Sequence, residues 1–419
     1  MTRRQFAAAF ALQARSRPNI VFILTDDLGL NDLACYGSRE IRTPNIDRLA
    51  RAGVRFTQCY SNGPLCSPTR AGLITGRYQQ RSGIEYAWTP RNKGQGLPAA
   101  GHSLPALLKK AGYRTALFGK WHLGEDPEFS PNAHGFDEFY GFLSSDHDFY
   151  SHKRTDGTPD LWHNAQPVES PLYSTDLFTA KAIEFLHQSS PQPYFLYLAL
   201  NAPHWPFQAP DRPADVRTRE TWYNGTRQDY VQMVERIDLS VGRLLQHVSP
   251  NALVIFTNDN GGERLSDNSP AFHGKMTLWE GGVRVPAIMR WPGRIPPRSI
   301  HAHPAITMDF TATILAAAGG NAPALDLEGV DLLDPAKAAA ERPLFWRYVH
   351  PPITQKSVRL GKWKYMLDGI HHLLFDLVAD PSERRNIARL YPEKVAQLQA
   401  LLAQWEASVA ASRPRHVIQ

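Results

Sequence analysis

The stretch Asn19-Ile20-Val21-Phe22-Ile23-Leu24-Thr25, running directly into Asp26-Asp27, sets the reading of the chain. It is continuously apolar, rich in Val, Ile and Phe, and shows no alternation. That is the pattern of a strand covered on both faces. Three further runs repeat it. Tyr113 to Phe118 ends in Gly119-Lys120-Trp121-His122, Pro193 to Leu200 ends in Asn201-Ala202-Pro203-His204, and Ala252 to Thr257 ends in Asn258-Asp259-Asn260-Gly261-Gly262. Each apolar run stops in polar chemistry. In open α/β sheets, ligands collect beyond the carboxyl ends of the strands. Four strands releasing charged groups at one end would assemble a single site from distant sequence.

Helical stretches separate the runs. Ser103 to Ala111 opens with a capping serine and a nearby proline, Ser174 to His187 and Tyr230 to Val248 carry apolar residues at helical spacing, and Thr307 to Ala318 is small and apolar. Strands alternating with helices predict an α/β fold: a large, mostly parallel mixed sheet sandwiched by helices. From Glu341 the chain changes character. Arg342 to Val349, Ser357 to Lys364 and Leu373 to Leu377 read as short strands, with Gly361 and Asp368-Gly369 supplying turns and an amphipathic helix over Tyr391 to Ala411 closing the chain. The predicted organisation is therefore an α/β domain over 17–340 and a C-terminal subdomain over 341–419, built from a small antiparallel sheet and one helix.

With 42% hydrophobic and 21% charged residues, the 419-residue chain has an ordinary globular composition and enough length to bury a large core. A formal net charge of +6 mildly favours an anionic substrate. The 46 basic residues are nevertheless offset by 40 acidic ones without a Lys/Arg run, which argues against a nucleic-acid partner. No stretch approaches the ~18 apolar residues of a membrane span. The three cysteines, Cys35, Cys59 and Cys66, are too few for a disulfide-framed fold, and Cys35 and Cys59 are expected to stay free. Thr2-Arg3-Arg4-Gln5-Phe6, followed by an apolar stretch to Leu12, reads as a twin-arginine export signal. That makes residues 1–16 a leader and the protein periplasmic or secreted. As a plain basic tail, the same residues would leave it cytoplasmic.

Between the first two runs lies Cys66-Ser67-Pro68-Thr69-Arg70, with Leu73-Ile74-Thr75-Gly76-Arg77 just after it. On a helix, residues i and i+4 share a face, so Arg70 would lie beside Cys66 and could hold an anionic group with its planar fork of donors. A cysteine taken alone is more often a buried structural residue. Asp26-Asp27 and Asp259-Asn260 offer hard oxygen donors that suit Ca²⁺ or Mg²⁺, although acids after strands are also common in turns and caps.

The Cys66 to Gly76 motif resembles the signature of the type I sulfatases, C-x-P-x-R-x-x-x-L-T-G, with Ile74 where leucine is more usual. Gly119-Lys120-Trp121-His122-Leu123-Gly124 matches that family's G-K-W-H-x-G element. Ala202-Pro203-His204 and His273-Gly274-Lys275 match the pair that contacts the sulfate. Arg359, Lys362-Trp363-Lys364, Phe375-Asp376-Leu377, Asp380-Pro381 and Glu383 resemble its C-terminal subdomain.

The resemblance implies an alkaline-phosphatase-like fold and a sulfuric ester hydrolase acting on an alkyl or aryl sulfate, with a sulfated carbohydrate as the favoured substrate. It implies that a formylglycine-generating enzyme oxidises Cys66 to formylglycine. It also implies that Asp26, Asp27, Asp259 and Asn260 hold Ca²⁺, or Mg²⁺, alongside that modified residue. One geminal oxygen of the hydrated aldehyde would attack sulfur to give a covalent sulfo-enzyme. The other would then lose its proton, so that the aldehyde re-forms and sulfate leaves. Arg70 would hold the hydrate, Lys120 would bind formylglycine and sulfate oxygens, and His122 would take the proton that starts elimination. His204 or Lys275 would protonate the leaving alcohol.

The Gly135 to His152 segment resembles the corresponding part of arylsulfatase-B-like and N-acetylgalactosamine sulfatases, and His147 is its candidate substrate contact. Glu280 to Pro286 matches another family segment and reads as a structural turn feeding a strand. Two other readings stand beside this one. A phosphate mono- or diester hydrolase of the same superfamily would usually carry Ser or Thr as nucleophile and two metals. A non-catalytic anion or glycan binder would leave Cys66 unmodified.

Overall fold

A computed structural model of the chain describes residues 17–89, 92, 94–99, 101–320 and 326–412, so the expected export segment over 1–16 lies outside the described residues. One sheet contains eleven strands: β1 (Ile20–Thr25), β2 (Val54–Tyr60), β3 (Arg114–Lys120), β4 (Glu138–Phe142), β5 (Trp162–His163), β6 (Gln166–Pro167), β7 (Tyr194–Ala199), β8 (Leu253–Asn258), β9 (Arg284–Arg290), β10 (Ser299–His301) and β11 (Ala305–Ile306). Its order is β10-β2-β9-β8-β1-β7-β3-β4-β5-β6, with β11 beside β2. The four apolar runs are the central neighbours β8, β1, β7 and β3, all parallel. Thr25 is level with Asn258, Leu24 with Ala199, and Ala199 with Gly119, so these strands release their polar tails along one edge.

The missing alternation in these runs has a direct cause. Val21, Ile23, Phe118, Leu196 and Phe256 point into one apolar cluster with α1 (Pro44–Arg51), α4 (Ser174–His187) and α5 (Arg227–Leu245). Their neighbours Ile20, Phe22, Leu117, Phe195 and Ile255 point into a second cluster, with α2 (Cys66–Thr75), α3 (Leu104–Lys110) and α7 (Thr307–Ala317). Side chains alternate across a sheet, and here both faces are roofed by helices. Helix α5 begins at Arg227, ahead of the expected Tyr230, because Thr226 and Asp229 form a reciprocal capping box. β9 runs antiparallel between β8 and β2, which makes the sheet mixed. The short α6 (Glu280–Val283) leads into β9, as the turn-then-strand reading of that segment expected.

The C-terminal sheet is a four-stranded antiparallel meander of β12 (Leu344–His350), β13 (Ile353–Leu360), β14 (Trp363–Asp368) and β15 (His371–Asp376). The expected strand over Ser357 to Lys364 is two strands, because Gly361 turns the chain at a φ of 57°. The short α8 (Pro335–Ala339) precedes this sheet, and α9 (Pro392–Ala411) packs across it through Leu398, Leu402 and Trp405. Trp346, Tyr365 and Phe375 share one cluster with Tyr60, Leu65 and Leu278 of the larger unit. No helix among the described residues is long and apolar enough to cross a membrane. Cys35 and Cys59 are free, as expected, and Cys66 likewise has no disulfide partner.

A buried charge network fastens the two sheets. Lys364 Nζ donates to Glu280 at 3.0 Å and pairs with Glu383 at 2.8 Å, while Tyr60 Oη donates to Glu280 at 2.7 Å. Gln355 accepts from the Leu278 backbone N–H at 2.8 Å. Removing one partner leaves the others charged and buried, which typically costs about 3–5 kcal/mol. Lys364→Ala is therefore expected to lower stability by about that amount, read as a shift of the urea midpoint. A midpoint within error of the parent would show that the network contributes little.

Candidate active site

Cys66 stands at the first position of α2, and Arg70 one turn later lies on the same face, as the spacing predicted. Cys66 Sγ donates to Asp26 Oδ1 at 3.2 Å. Arg70 reaches Asp259 Oδ2 from Nη2 at 2.9 Å and from Nε at 3.2 Å, and Asp26 Oδ2 from Nη2 at 3.4 Å. Its remaining Nη1 donates to the Lys120 carbonyl at 3.0 Å. Lys120, at the end of β3, pairs with Asp26. Lys275 donates to Asp27 Oδ2 at 2.7 Å, and His204 Nε2 stands 3.6 Å from the same oxygen. Asn260 Nδ2 donates to Asp27 Oδ1 at 2.7 Å. The fold thus brings together Asp26, Asp27, Cys66, Arg70, Lys120, His204, Asp259, Asn260 and Lys275.

His122 completes the cluster from an unusual backbone position, with φ at 61°. Its Nε2 lies 2.8 Å from the Trp88 carbonyl. A carbonyl only accepts, so Nε2 carries the proton and Nδ1 is a bare acceptor, buried and without a partner. The Trp88 N–H meanwhile donates to Ser67 Oγ at 2.9 Å, tying this loop to α2. His204 shows the mirrored tautomer: Nδ1 donates to the Trp205 carbonyl at 2.7 Å and leaves Nε2 bare.

Electrostatics are dominated by burial. Burial pushes the Asp27 carboxyl up to about 6, against Lys275, and burial with repulsion from Asp26 pushes Asp259 up to about 7. Burial also opposes ionisation of Asp26, but the charges of Lys120, Arg70 and Lys275 outweigh it and hold that carboxyl well below the usual range. The Cys66 thiol is pushed well above its ordinary value by burial and by Asp259 and Asp26, so an unmodified side chain stays protonated and weakly nucleophilic. Burial, with nearby Lys275 and Lys120, keeps His204 neutral, while burial and Lys120 do the same to His122.

Asp26, Asp27, Cys66 and Asp259 each offer a ligand atom, all within 4.8 Å of one another. Asn260 Oδ1 beside them is buried without a hydrogen-bond partner. Crowded carboxylates and an orphaned amide oxygen are the donor set of a hard divalent cation, and the residues present fit one.

The sulfatase family profile matches residues 18–320, which carry every group just described. The chain belongs to the sulfatase family. It is a sulfuric ester hydrolase with an alkaline-phosphatase-like fold. Residues 270–408 match the C-terminal profile of N-sulphoglucosamine sulphohydrolase. N-acetylgalactosamine-6-sulfatase of Canis lupus familiaris is 37% identical over 394 residues, covering 84% of this sulfatase and 72% of the relative. Arylsulfatase A of Bos taurus is 33% identical, covering 96% and 91% respectively. The crystal structure of Ps i-CgsB in complex with k-i-k-neocarrahexaose superposes with a TM-score of 0.86 at 30% identity, covering 93% of both chains.

His147 is the one expected site residue that the fold withdraws. Its ring is 0% exposed and stacks on Phe142 at 4.0 Å. Nε2 meets Ser174 Oγ at 2.9 Å and Nδ1 meets the Asp160 carbonyl at 3.2 Å, leaving neither nitrogen for a substrate. It is a core residue holding its loop against α4. The sequence reading also missed Asn258, quoted only as the end of a run. Its Oδ1 accepts from Thr25 Oγ1 at 2.7 Å and from Leu28 N at 3.1 Å, and its Nδ2 donates to the Leu28 carbonyl at 3.1 Å. It braces the turn in which Asp27 takes a φ of 65°. An amide ending a strand buried on every residue was the available signal. Outer-shell partners of metal ligands are commonly worth 10–100-fold in affinity. Asn258→Ala is expected to weaken Ca²⁺ binding by roughly that factor in calorimetric titration; parent-like affinity would show that the turn holds itself.

Proposed function

We propose that the sulfatase removes sulfate from a sulfated carbohydrate, at the buried edge where Cys66 meets Asp26, Arg70 and Lys120. The observation that carries this reading is the convergence of Arg70, Lys120, Lys275 and His204, with the acidic donor set, around Cys66. The relatives' own names, an N-acetylgalactosamine-6-sulfatase and a structure solved in complex with k-i-k-neocarrahexaose, support the sugar class. The twin arginine near the start supports export to the periplasm or beyond.

Asp26, Asp27, Asp259 and Asn260 would hold a divalent cation, Ca²⁺ in preference to Mg²⁺, which supplies Lewis-acid polarisation, while formylglycine made from Cys66 by a formylglycine-generating enzyme supplies the nucleophile. The rest is done by the chain itself. Arg70 and Lys120 are held by buried acids and present positive charge to the sulfate oxygens without needing to reorganise. His122 Nδ1, bare and buried, accepts a proton. Lys275 is kept protonated by Asp27 and Asp26 against the cost of burial, so it holds a proton for the leaving alcohol, and His204 Nε2 stands beside it.

Expressed with a formylglycine-generating enzyme, the protein is expected to lose the Cys66 thiol in favour of an aldehyde or its hydrate, read by peptide mass. Cys66→Ala is expected to abolish turnover on a panel of sulfated monosaccharides and disaccharides while keeping the parent's circular dichroism. Near-parent rates in the alanine variant would remove the mechanism. Chelation by EDTA should lower the rate and added Ca²⁺ restore it; indifference to chelation would count against the cation.

A further inference from the structure

Next to the sulfate-facing groups stands a wall of polar and aromatic side chains that the reaction itself does not use. Asp146, in the loop after β4, is half-buried. Its Oδ2 accepts from Trp222 Nε1 at 2.6 Å, its Oδ1 accepts from the Ser145 hydroxyl, and its carbonyl accepts from Ser144 Oγ at 3.0 Å. Trp222 is only 1% exposed, so it holds the carboxylate still from behind. The next residue, Tyr223, is 59% exposed and meets the Trp205 ring edge-on at 5.3 Å. Trp205 lies 4.6 Å from the His204 ring and 4.9 Å from Lys275 Nζ. Contact therefore runs without a break from Asp146 through Trp222, Tyr223 and Trp205 to the pair that faces the leaving oxygen. Burial raises the Asp146 carboxyl, against the hydrogen bonds from Ser145 and Trp222 and the nearby charges of Lys120 and Lys275, which places it within reach of the same two cations.

The chemistry of this wall is specific. An ionised carboxylate has about four lone-pair sites, and two hydrogen bonds leave room for more. A fixed acceptor of this kind suits the hydroxyls of a sugar, and it repels a second anion. Exposed aromatic rings offer flat apolar area to the C–H face of a pyranose. A large exposed tyrosine leaning on a half-buried tryptophan beside a catalytic pair has no evident packing purpose.

We propose that Asp146, Trp205 and Tyr223 form the subsite for the sugar ring that carries the scissile sulfate. Asp146 accepts hydrogen bonds from ring hydroxyls, and the two aromatic rings cover an apolar face. This rests on the reading of the protein as a carbohydrate sulfatase and names the residues that make it one.

The test compares kcat/KM for a sulfated monosaccharide with kcat/KM for 4-nitrophenyl sulfate, which has no ring hydroxyls. Asp146→Asn keeps an acceptor for Trp222 and removes the charge. It is expected to lower the sugar-to-aryl ratio by roughly tenfold to hundredfold, the range for hydrogen bonds to a charged group. Tyr223→Ala is expected to raise KM for the sugar ester severalfold, while Tyr223→Phe keeps it near the parent value. An unchanged ratio in Asp146→Asn, including equal losses on both esters, would overturn the subsite, and an unchanged KM in Tyr223→Ala would remove the ring from it. A parent enzyme that cleaves the aryl ester but no sulfated sugar would instead overturn the carbohydrate reading, and the subsite would fall with it.

Discussion

Three carboxylates, Asp26, Asp27 and Asp259, are forced together in a space from which water is excluded, and the rest of the site is arranged around that repulsion. Like charges at this range in a low-dielectric interior are costly unless each finds a counter-charge. Arg70 and Lys120 answer Asp26 and Asp259, and Lys275 answers Asp27. The cations are thereby held where a sulfate would need them. The acids remain under strain, with Asp27 and Asp259 pushed upward, and this leaves the cluster receptive to a hard dication. The same few groups thus fix Arg70, Lys120 and Lys275 in place and, in the proposed function, would set the metal preference.

Placing these groups requires both sheets. Asp26, Lys120, His204 and Asp259 come off the edge of the large sheet, where parallel strands end in register. Lys275 comes from a loop that is held by the smaller sheet. Gln355 grips the Leu278 N–H, and Lys364 and Glu383 close on Glu280 a few residues further along. Gly119 shows how tight the assembly is. With φ at 115°, it lies where a Cβ would come within 2.0 Å of the Ala199 carbonyl, so only glycine lets Lys120 follow at that point. The C-terminal subdomain is therefore part of the active site's support.

The substrate side obeys a different logic. The proposed sulfate end is buried, charged and built on strand ends and a helix. The wall beyond it is made by loops carrying Asp146, Trp205 and Tyr223, with polar atoms anchored from behind and aromatic area turned outward. A rigid scaffold with variable loops permits one reaction to be directed to different esters.

The sequence by itself determined the central strands, because continuous apolar runs between polar tails have no other stable home than a sheet roofed on both faces. It also indicated which acidic and cationic residues gather around Cys66, because a motif such as Cys66 to Gly76 constrains helix, cysteine position and cation together. Strand boundaries were legible to within a residue or two where hydrophobicity changes abruptly. The antiparallel insertion of β9 was not, since the Val285 to Met289 run is equally apolar in either direction. Only the tertiary structure withdrew His147 and brought forward its neighbour Asp146, which the sequence had not singled out. These neighbours point to opposite environments: one ring is locked between Phe142, Ser174 and Asp160, and the other residue's carboxylate is pinned by Trp222. It alone assigned Asn258 and the Trp88 carbonyl their roles, because a hydrogen bond between residues far apart in the chain leaves no periodic trace in sequence.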